Sequence, residues 1–592
     1  MKVRAWWRQW DKSWLAVLAV ALLAMWPLLS RSDLPQNTDA ELHIFRLAEL
    51  SRVIRTGVFY PRWAPHFYFG YGYPIFNYYA PLSYYLGLPV ELMPGLDAVA
   101  GVKFVLLLSL LAGAVGTFAY VRPHWGAPAG LVAAAAYTYA PYIQFVDPHA
   151  RGDLAEVLAL GLAPLVFWAG DRFLRGGGWL SWGATALLTA AVITSHNLLA
   201  LVFFALLLAW GLWQFALPGE RQRKLWLLGA LGLGVGLAAF FWLPVALEQN
   251  EINLSTLLGS GEQDNFDFRN HFLGWRELLA PSARLDWGAS EPEFLFNLGI
   301  MQWGLAIVAI VGLLAGKERT GRQLGYFALA AVGLIFMMLP LSEPLWSAIP
   351  FVEYLQFPWR LLGPVAFMLA VLAAAATRLL QDWLLWRPLP GLLLALILIL
   401  AWPLSQLPPW PADFGPTDTQ TVLARERQGV WLGTTSTADF VPITVEQVPA
   451  SQPSVNVSLN AGGPVDRVNW ATVPQGTQIE STEINALHFR YEVSGAKPFV
   501  LRLFLFDFPG WETRVDGELV ETELGRPEGF LIVPLPAGDH VVDVAFHDTP
   551  ARQAAWLLTA AALLALAGGA YWLRRHNAVQ PLPVTEPVAG WL

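Results

Sequence analysis

Twelve apolar stretches, each close to the length that crosses a hydrocarbon layer, leave this chain little choice of fold class. A spanning helix takes roughly 20 mostly apolar residues. Stretches 13–30, 98–120, 126–145, 154–173, 179–195, 197–216, 224–246, 295–315, 323–340, 359–378, 388–405 and 553–573 meet that length. Only 14% of the 592 residues are charged, against about 25% in soluble domains. A bilayer is therefore the expected solvent for much of the chain. The basic start (Lys2, Arg4, Arg8, Lys12) precedes the apolar run Ser13 to Leu29 without a small-x-small cleavage site, which reads as a retained first helix. The chain has no cysteine, so disulfides and thiolate ligands are excluded. A net charge of −8 without a Lys/Arg-rich run argues against nucleic acid as a partner.

Charge sets the expected topology, because cytoplasmic loops carry excess Lys and Arg. A thirteenth stretch, 77–93, is short, tyrosine-rich and broken by Pro81 and Pro89. If it does not span, Arg122, Arg172, Arg175, Arg221, Arg223, Lys224, Lys317, Arg319, Arg322, Arg378, Arg387, Arg574 and Arg575 all fall inside. The expectation is about twelve spans over 1–405 and 553–573, with both termini, including a 574–592 tail, cytoplasmic. Outer loops then fall at 31–97, 146–153, 247–294 and 341–358, followed by a linker, 406–451. Over 452–550 the apolar residues alternate, as in Ser454–Leu459, Phe499–Leu505 and His540–Phe546, with turns at Asp516-Gly517 and Ala537-Gly538. That period of two predicts an extracytoplasmic antiparallel β-sandwich.

The first outer loop carries the most chemistry. Thr38-Asp39-Ala40-Glu41 opens a capping-box pattern and Gly57 offers a stop, predicting a helix of about 18 residues. At 100° per residue Asp39, His43 and Arg46 share a side with Leu42, Leu50 and Val53, while Glu41, Arg52 and Arg55 point away. Charges facing protein must be paired or used: either Asp39 pairs internally with Arg46 or His43, or a catalytic carboxylate sits beside a phosphate-binding arginine. Residues 59–85 hold thirteen aromatic rings, Tyr73 among them, suited to stacking on a sugar, holding a prenyl chain, or forming an interfacial belt.

The same face gathers further candidates. Asp147, His149 and Arg151 lie in the second loop, where Asp153 and Glu156 read as a helix N-cap with its partner at N3. His196 stands at a helical hairpin tip. Arg360 opens the tenth span beside Phe357-Pro358-Trp359, where a cation at a helix N-terminus suits a phosphate or a lipid headgroup. A carrier would place such groups nearer the midplane. No Walker A, HExxH or GxSxG motif occurs.

The segments Asp39-Ala40-Glu41-Leu42-His43-Ile44-Phe45-Arg46, Gly57 to Trp63, Gly70-Tyr71-Gly72-Tyr73-Pro74, Arg151 to Glu156 and Phe357-Pro358-Trp359-Arg360, with Phe508-Pro509-Gly510-Trp511 in the sandwich, resemble the GT-C superfamily of membrane glycosyltransferases. Closer still, they are similar to the bacterial YfhO-type and 6-pyruvoyl-tetrahydropterin synthase-related membrane proteins. The resemblance implies inverting transfer of a sugar from a polyprenyl-phosphate or -diphosphate donor to an extracytoplasmic glycan, lipid or protein acceptor at a bacterial inner membrane. It makes Asp39 the base or a metal ligand, with Glu41 and His43 as second acid and orienter. Arg360, with Arg62 or Arg151, would neutralise the leaving phosphate, and Arg46, Tyr73, Asp147, His149 and His196 would line the substrate. No cofactor is read from the residues. A divalent metal, Mg or Mn, would fall to Asp39 and Glu41, which the helix geometry separates. A lipid-glycan flippase and a non-enzymatic, glycan-binding assembly protein are the alternatives.

Overall fold

The computed structural model describes residues 11–31, 34, 38–254, 265–284, 295–316, 321–406, 414–435 and 439–576. The apolar stretches fall on helices: α1 Ser13–Leu29, α2 Asp39–Arg55, α3 Leu82–Glu91, α4 Ala98–Thr138, α5 Leu154–Leu174, α6 Trp179–Ile193, α7 Asn197–Trp213, α8 Arg221–Leu237, α9 Ala239–Leu247, α10 Ile300–Leu314, α11 Gly321–Met337, α12 Leu362–Leu384 and α13 Leu389–Ala401. Two shorter ones follow, α14 Thr419–Arg427 and α15 Pro453–Ala461, before the last, α16 Pro550–His576. In α12 every residue from Leu362 to Thr377 is buried, whereas α16 leaves Leu557 and Leu564 72% and 75% exposed. An apolar helix that open to its surroundings needs lipid against it.

The helices are less uniform than the twelve-span expectation. Among the described residues five are long and apolar enough to cross a membrane, and two bent pairs bring the number to seven. Within α4, stretches 98–120 and 126–145 are two helical segments that meet at Gly126, whose φ of 85° and ψ of 168° break the helix. Stretch 224–246 breaks between α8 and α9, which meet at 64°. At ten residues α3 is about 15 Å long and too short to span.

Eight strands follow: β1 Gln478–Asn485, β2 His488–Gly495, β3 Phe499–Phe506, β4 Trp511–Val515, β5 Glu518–Val520, β6 Glu523–Gly525, β7 Phe530–Leu535 and β8 Gly538–Phe546. They form a five-stranded sheet, β1-β2-β8-β4-β5, and a three-stranded sheet, β3-β7-β6, with antiparallel pairing throughout. Leu501, Leu503, Leu531, Val533, Tyr491 and Val542 fill the space between them. The run Ser454–Leu459, expected as a strand, is instead α15. Val455 and Leu459 are buried there while Val457 is 70% exposed. Apolar residues two and four apart satisfy either period, and Pro453 at the first helical turn favours the helix.

The aromatic loop is mostly core rather than a row of open rings. Trp63, Tyr68, Tyr71, Tyr73 and Tyr78 are buried, and Tyr71 packs on Phe506 and Phe530 with centroids 5.5 and 4.9 Å away. Ala64 and Tyr73 exchange backbone bonds of 2.7 and 3.0 Å. Gly72 makes that turn possible. Its φ is 88°, and a Cβ there would lie 2.0 Å from Trp63 Nε1.

Candidate functional site

Helix α2 is the scaffold of the site. It is buried almost all round, Glu41 and Glu49 included, so the side of Glu41, expected to point away from the face that packs against protein, is covered as well. Glu41 pairs with Arg425 of α14, so the segment expected as a linker closes over α2 and covers its polar side. The Glu41 backbone N–H bonds the Thr38 carbonyl at 3.1 Å, while its carboxylate goes to that ion pair.

Beside the start of α2, residues Tyr142–Arg151 wind as a π-helix that ends on Gly152. At Gly152 φ is 69°, and a Cβ would lie 2.4 Å from that of Ala40. Only glycine lets the two segments approach this closely, and the approach sets Asp39 beside Arg151.

Arg151 is the hub. Its guanidinium lies 2.8 Å from Asp147, 2.9 Å from Glu156, 3.0 Å from Asp153 and 3.5 Å from Asp39. The Tyr142 hydroxyl donates to Glu156 at 2.5 Å and accepts from Arg151 at 3.1 Å. Arg360 approaches Glu156 at 3.4 Å. Four carboxylates thus face two guanidinium groups. Three of these acids are closed off, and the Asp39 side chain is 36% exposed. Burial raises the Asp39 pKa, Arg151 opposes, and the Asp153 charge adds to the rise, leaving it above the ordinary carboxylate value. At Asp153 burial is outweighed by the hydrogen bond from His43 and the Arg151 charge, which hold it well below that value. Burial keeps His43 and His196 below the usual imidazole range, so both are neutral at pH 7.

A second chain of contacts leads from Arg46. Its Nη1 donates to the Tyr84 hydroxyl at 3.3 Å, and that hydroxyl lies 2.8 Å from His43 Nδ1. His43 Nε2 then faces Asp153 at 3.5 Å. Arg46 Nη2 and Nε donate to the Thr434 carbonyl at 2.5 and 3.1 Å, and the guanidinium lies 4.3 Å above the Tyr79 ring. Arg46 is buried, yet among the described residues no carboxylate comes within 4.0 Å of it. Among the described residues, then, this buried cation has neutral partners.

These groups line a cavity of about 920 Å³. Asp39, His43, Arg46, Arg151, Asp153, His196 and Arg360 line it together with the apolar Leu198, Leu201, Phe204, Val235 and Val245 of α7, α8 and α9. Thr435 and Asp439 also reach the wall.

Several expected residues sit elsewhere. Glu41 is held by Arg425 as described. Arg62 bonds Asp548, Asn77 and the Phe240 carbonyl, each at 3.1 Å, and so ties the aromatic loop to the approach to α16. Tyr73 packs on Tyr68 with ring centroids 5.0 Å apart and planes tilted by 30°. His149 is buried against Phe145 at 6.2 Å, and Asp147 stands behind Arg151. Asp153 and Glu156 were the residues missed. The Asp153 carboxylate does cap α5, accepting from Glu156 N at 3.0 Å, but its other oxygen and the Glu156 carboxylate turn to Arg151.

Asp153, Glu156 and His196 present ligand atoms within 4.8 Å of one another, a spacing that could hold a metal ion. Hydrogen bonding argues against His196 as a ligand. Its Nδ1 accepts from Leu198 N and Leu199 N at 3.2 and 3.1 Å, capping α7. The proton of the neutral ring then sits on Nε2, the atom facing the two carboxylates at 3.9 Å. A ligating histidine donates from its other nitrogen; here that nitrogen accepts.

A family model described as "6-pyruvoyl-tetrahydropterin synthase related domain; membrane protein" matches residues 76–407. A protein of Lactococcus lactis subsp. cremoris is 20% identical over 365 residues, which are 59% of this chain and 54% of that one. The chain thus spans about half the length of that relative. Among solved structures, the mycobacterial arabinofuranosyltransferase AftD gives a TM-score of 0.37 at 16% identity over 66% of this chain and 27% of its own. The Archaeoglobus fulgidus oligosaccharyltransferase AglB gives 0.42 at 13% identity over 70% and 58%. Similarity at that level transfers neither fold nor activity.

Proposed function

This chain belongs to the 6-pyruvoyl-tetrahydropterin synthase related family of membrane proteins, and we propose that it is a glycosyltransferase drawing its sugar from a polyprenyl-phosphate-linked donor. One observation carries the reading. Arg46, a buried arginine with no carboxylate within ion-pair distance among the described residues, and a part-exposed carboxylate, Asp39, lie two helical turns apart on one helix and line a cavity that α7, α8 and α9 also line with apolar side chains. A phosphate supplies the charge Arg46 lacks, and a prenyl chain suits the wall of α7, α8 and α9. In this reading the chain lies in a bacterial inner membrane with about twelve spans, both termini cytoplasmic and the sandwich extracytoplasmic.

The chemistry follows from the placement. An acceptor hydroxyl attacks the anomeric carbon, the bond from that carbon to the phosphate oxygen breaks, and the configuration inverts. Asp39 takes the hydroxyl proton; its raised pKa makes it a stronger base than an ordinary aspartate. Arg46 stabilises the charge left on the departing phosphate. Arg151, already shared by four carboxylates, orients Asp39, and Arg360 holds Glu156. The residues do not fit a metal ion bound through His196, whose Nδ1 accepts from the α7 backbone. The glycan, glycolipid or protein that accepts the sugar would enter past Thr435 and Asp439, which line the cavity.

Incubating the purified protein with a panel of polyprenyl-phosphate donors carrying radiolabelled sugars tests this directly. Label passing to an acceptor with inverted anomeric configuration is expected. Failure of every donor, alongside glycan binding by the intact protein, would replace the reading with a binding and assembly role.

A further inference from the structure

We propose that Glu426, at the end of α14, is a positioning residue that holds the Thr434 carbonyl on the Arg46 guanidinium. The inference rests on the proposed role of Arg46 only for its functional readout; the positioning stands on the contacts themselves.

Glu426 is buried, and its two oxygens are fully occupied by backbone. Oε1 accepts from Tyr68 N at 2.8 Å and Gly433 N at 3.0 Å, and Oε2 accepts from Phe69 N at 2.6 Å. Among the described residues no Lys, Arg or His lies within ion-pair distance of it. The neighbouring charges are committed elsewhere: Arg425 to Glu41, and Arg52 and His66 to Glu49. Glu49 itself repels Glu426, and the Tyr68 and Tyr71 hydroxyls belong to the loop packed on it. A carboxylate buried without a cation is costly, and an apolar side chain would suit mere packing better.

The two turns that Glu426 joins are strained. Tyr68, Phe69, Trp431 and Thr434 have φ of 56°, 57°, 54° and 58°, in the left-handed region that side-chain-bearing residues avoid. Such conformations persist only where their surroundings hold them. Gly433 lies between, with φ 62°, and a Cβ there would lie 2.6 Å from the Tyr68 ring. Glu426 pins both turns at once, and the second ends on the carbonyl that takes two hydrogen bonds from Arg46. The carboxylate therefore fixes where the Arg46 guanidinium can point.

The test compares wild type with Glu426→Gln and Glu426→Leu. Glutamine keeps an acceptor for Tyr68 and Gly433 while losing the bond to Phe69. Binding of undecaprenyl phosphate and of undecaprenol is measured on each purified protein, with amide exchange over residues 430–435. The expected result is a roughly tenfold or greater weakening of undecaprenyl phosphate binding in Glu426→Leu, a smaller loss in Glu426→Gln, and unchanged undecaprenol binding. Equal weakening of both lipids would reduce Glu426 to a structural clamp and overturn the proposal. If wild type binds the two lipids alike, the phosphate reading of Arg46 fails instead. Amide exchange then decides the positioning: a rise of at least tenfold over 430–435 in either variant supports it, and unchanged exchange overturns it.

Discussion

Asp39 and Arg151 stand 3.5 Å apart, and of the four carboxylates around that guanidinium Asp39 is the most exposed. Its pKa is raised above the ordinary 3.8, by burial first and by Asp153 against the pull of Arg151. A base must be ionised to work, so kcat/KM should climb with pH through that raised value and level off above it. Asp39→Glu should keep a pH limb, and Asp39→Asn should lose it. A pH–rate profile with the limb intact in Asp39→Asn would assign it to another group.

Removing the hub should damage the fold more than any single ligand of it. Arg151→Ala leaves Asp147, Asp153 and Glu156 buried without their shared cation, and breaking a buried pair costs about 3–5 kcal/mol. Thermal unfolding in detergent should show a loss on that scale. Arg151→Lys should recover only part of it, since an ammonium cannot reproduce the fork.

Arg62, a candidate substrate cation on sequence grounds, is expected to behave as a structural residue. Arg62→Ala should lower the melting temperature while leaving KM for the donor within about twofold. Arg552 should act likewise, because its guanidinium closes on the buried Glu248 at 3.0 Å. A large KM rise in Arg62→Ala at unchanged stability would return it to the site.

The Glu426 carboxyl is pushed up to about 7, by burial against the pull of its three backbone donors, with Glu49 adding to the rise. A carboxyl raised in the folded state binds its proton more tightly there than in the unfolded chain. Its contribution to stability is thus greatest below pH 4.5 and is lost as pH rises to 7. At about 1.4 kcal/mol per unit that loss comes to about 3 kcal/mol. Glu426→Gln should flatten this part of the stability–pH curve, read by chemical denaturation across that range.

The local patterns were legible from the sequence: apolar runs, period-two strands, and the spacing that sets Asp39, His43 and Arg46 on one side of α2. What depended on distant partners was not. Nothing near Glu41 announces Arg425, and nothing near Arg46 announces Thr434, 388 residues away. Asp153 and Glu156 were hidden by a correct local reading: one carboxylate oxygen of Asp153 does cap the helix, and a cap pattern is silent about the other. The rings of 59–85 were visible, but which faces they would cover depended on a sandwich more than 400 residues later.

Sugar transfer by wild type beside Asp39→Asn, with both proteins checked for equal folding, tests the central claim most directly. A positioned base contributes about 10²–10⁴-fold, so turnover should fall by roughly a thousandfold in Asp39→Asn while donor affinity changes by less than about threefold. A well-folded Asp39→Asn protein transferring sugar at the wild-type rate would contradict the account.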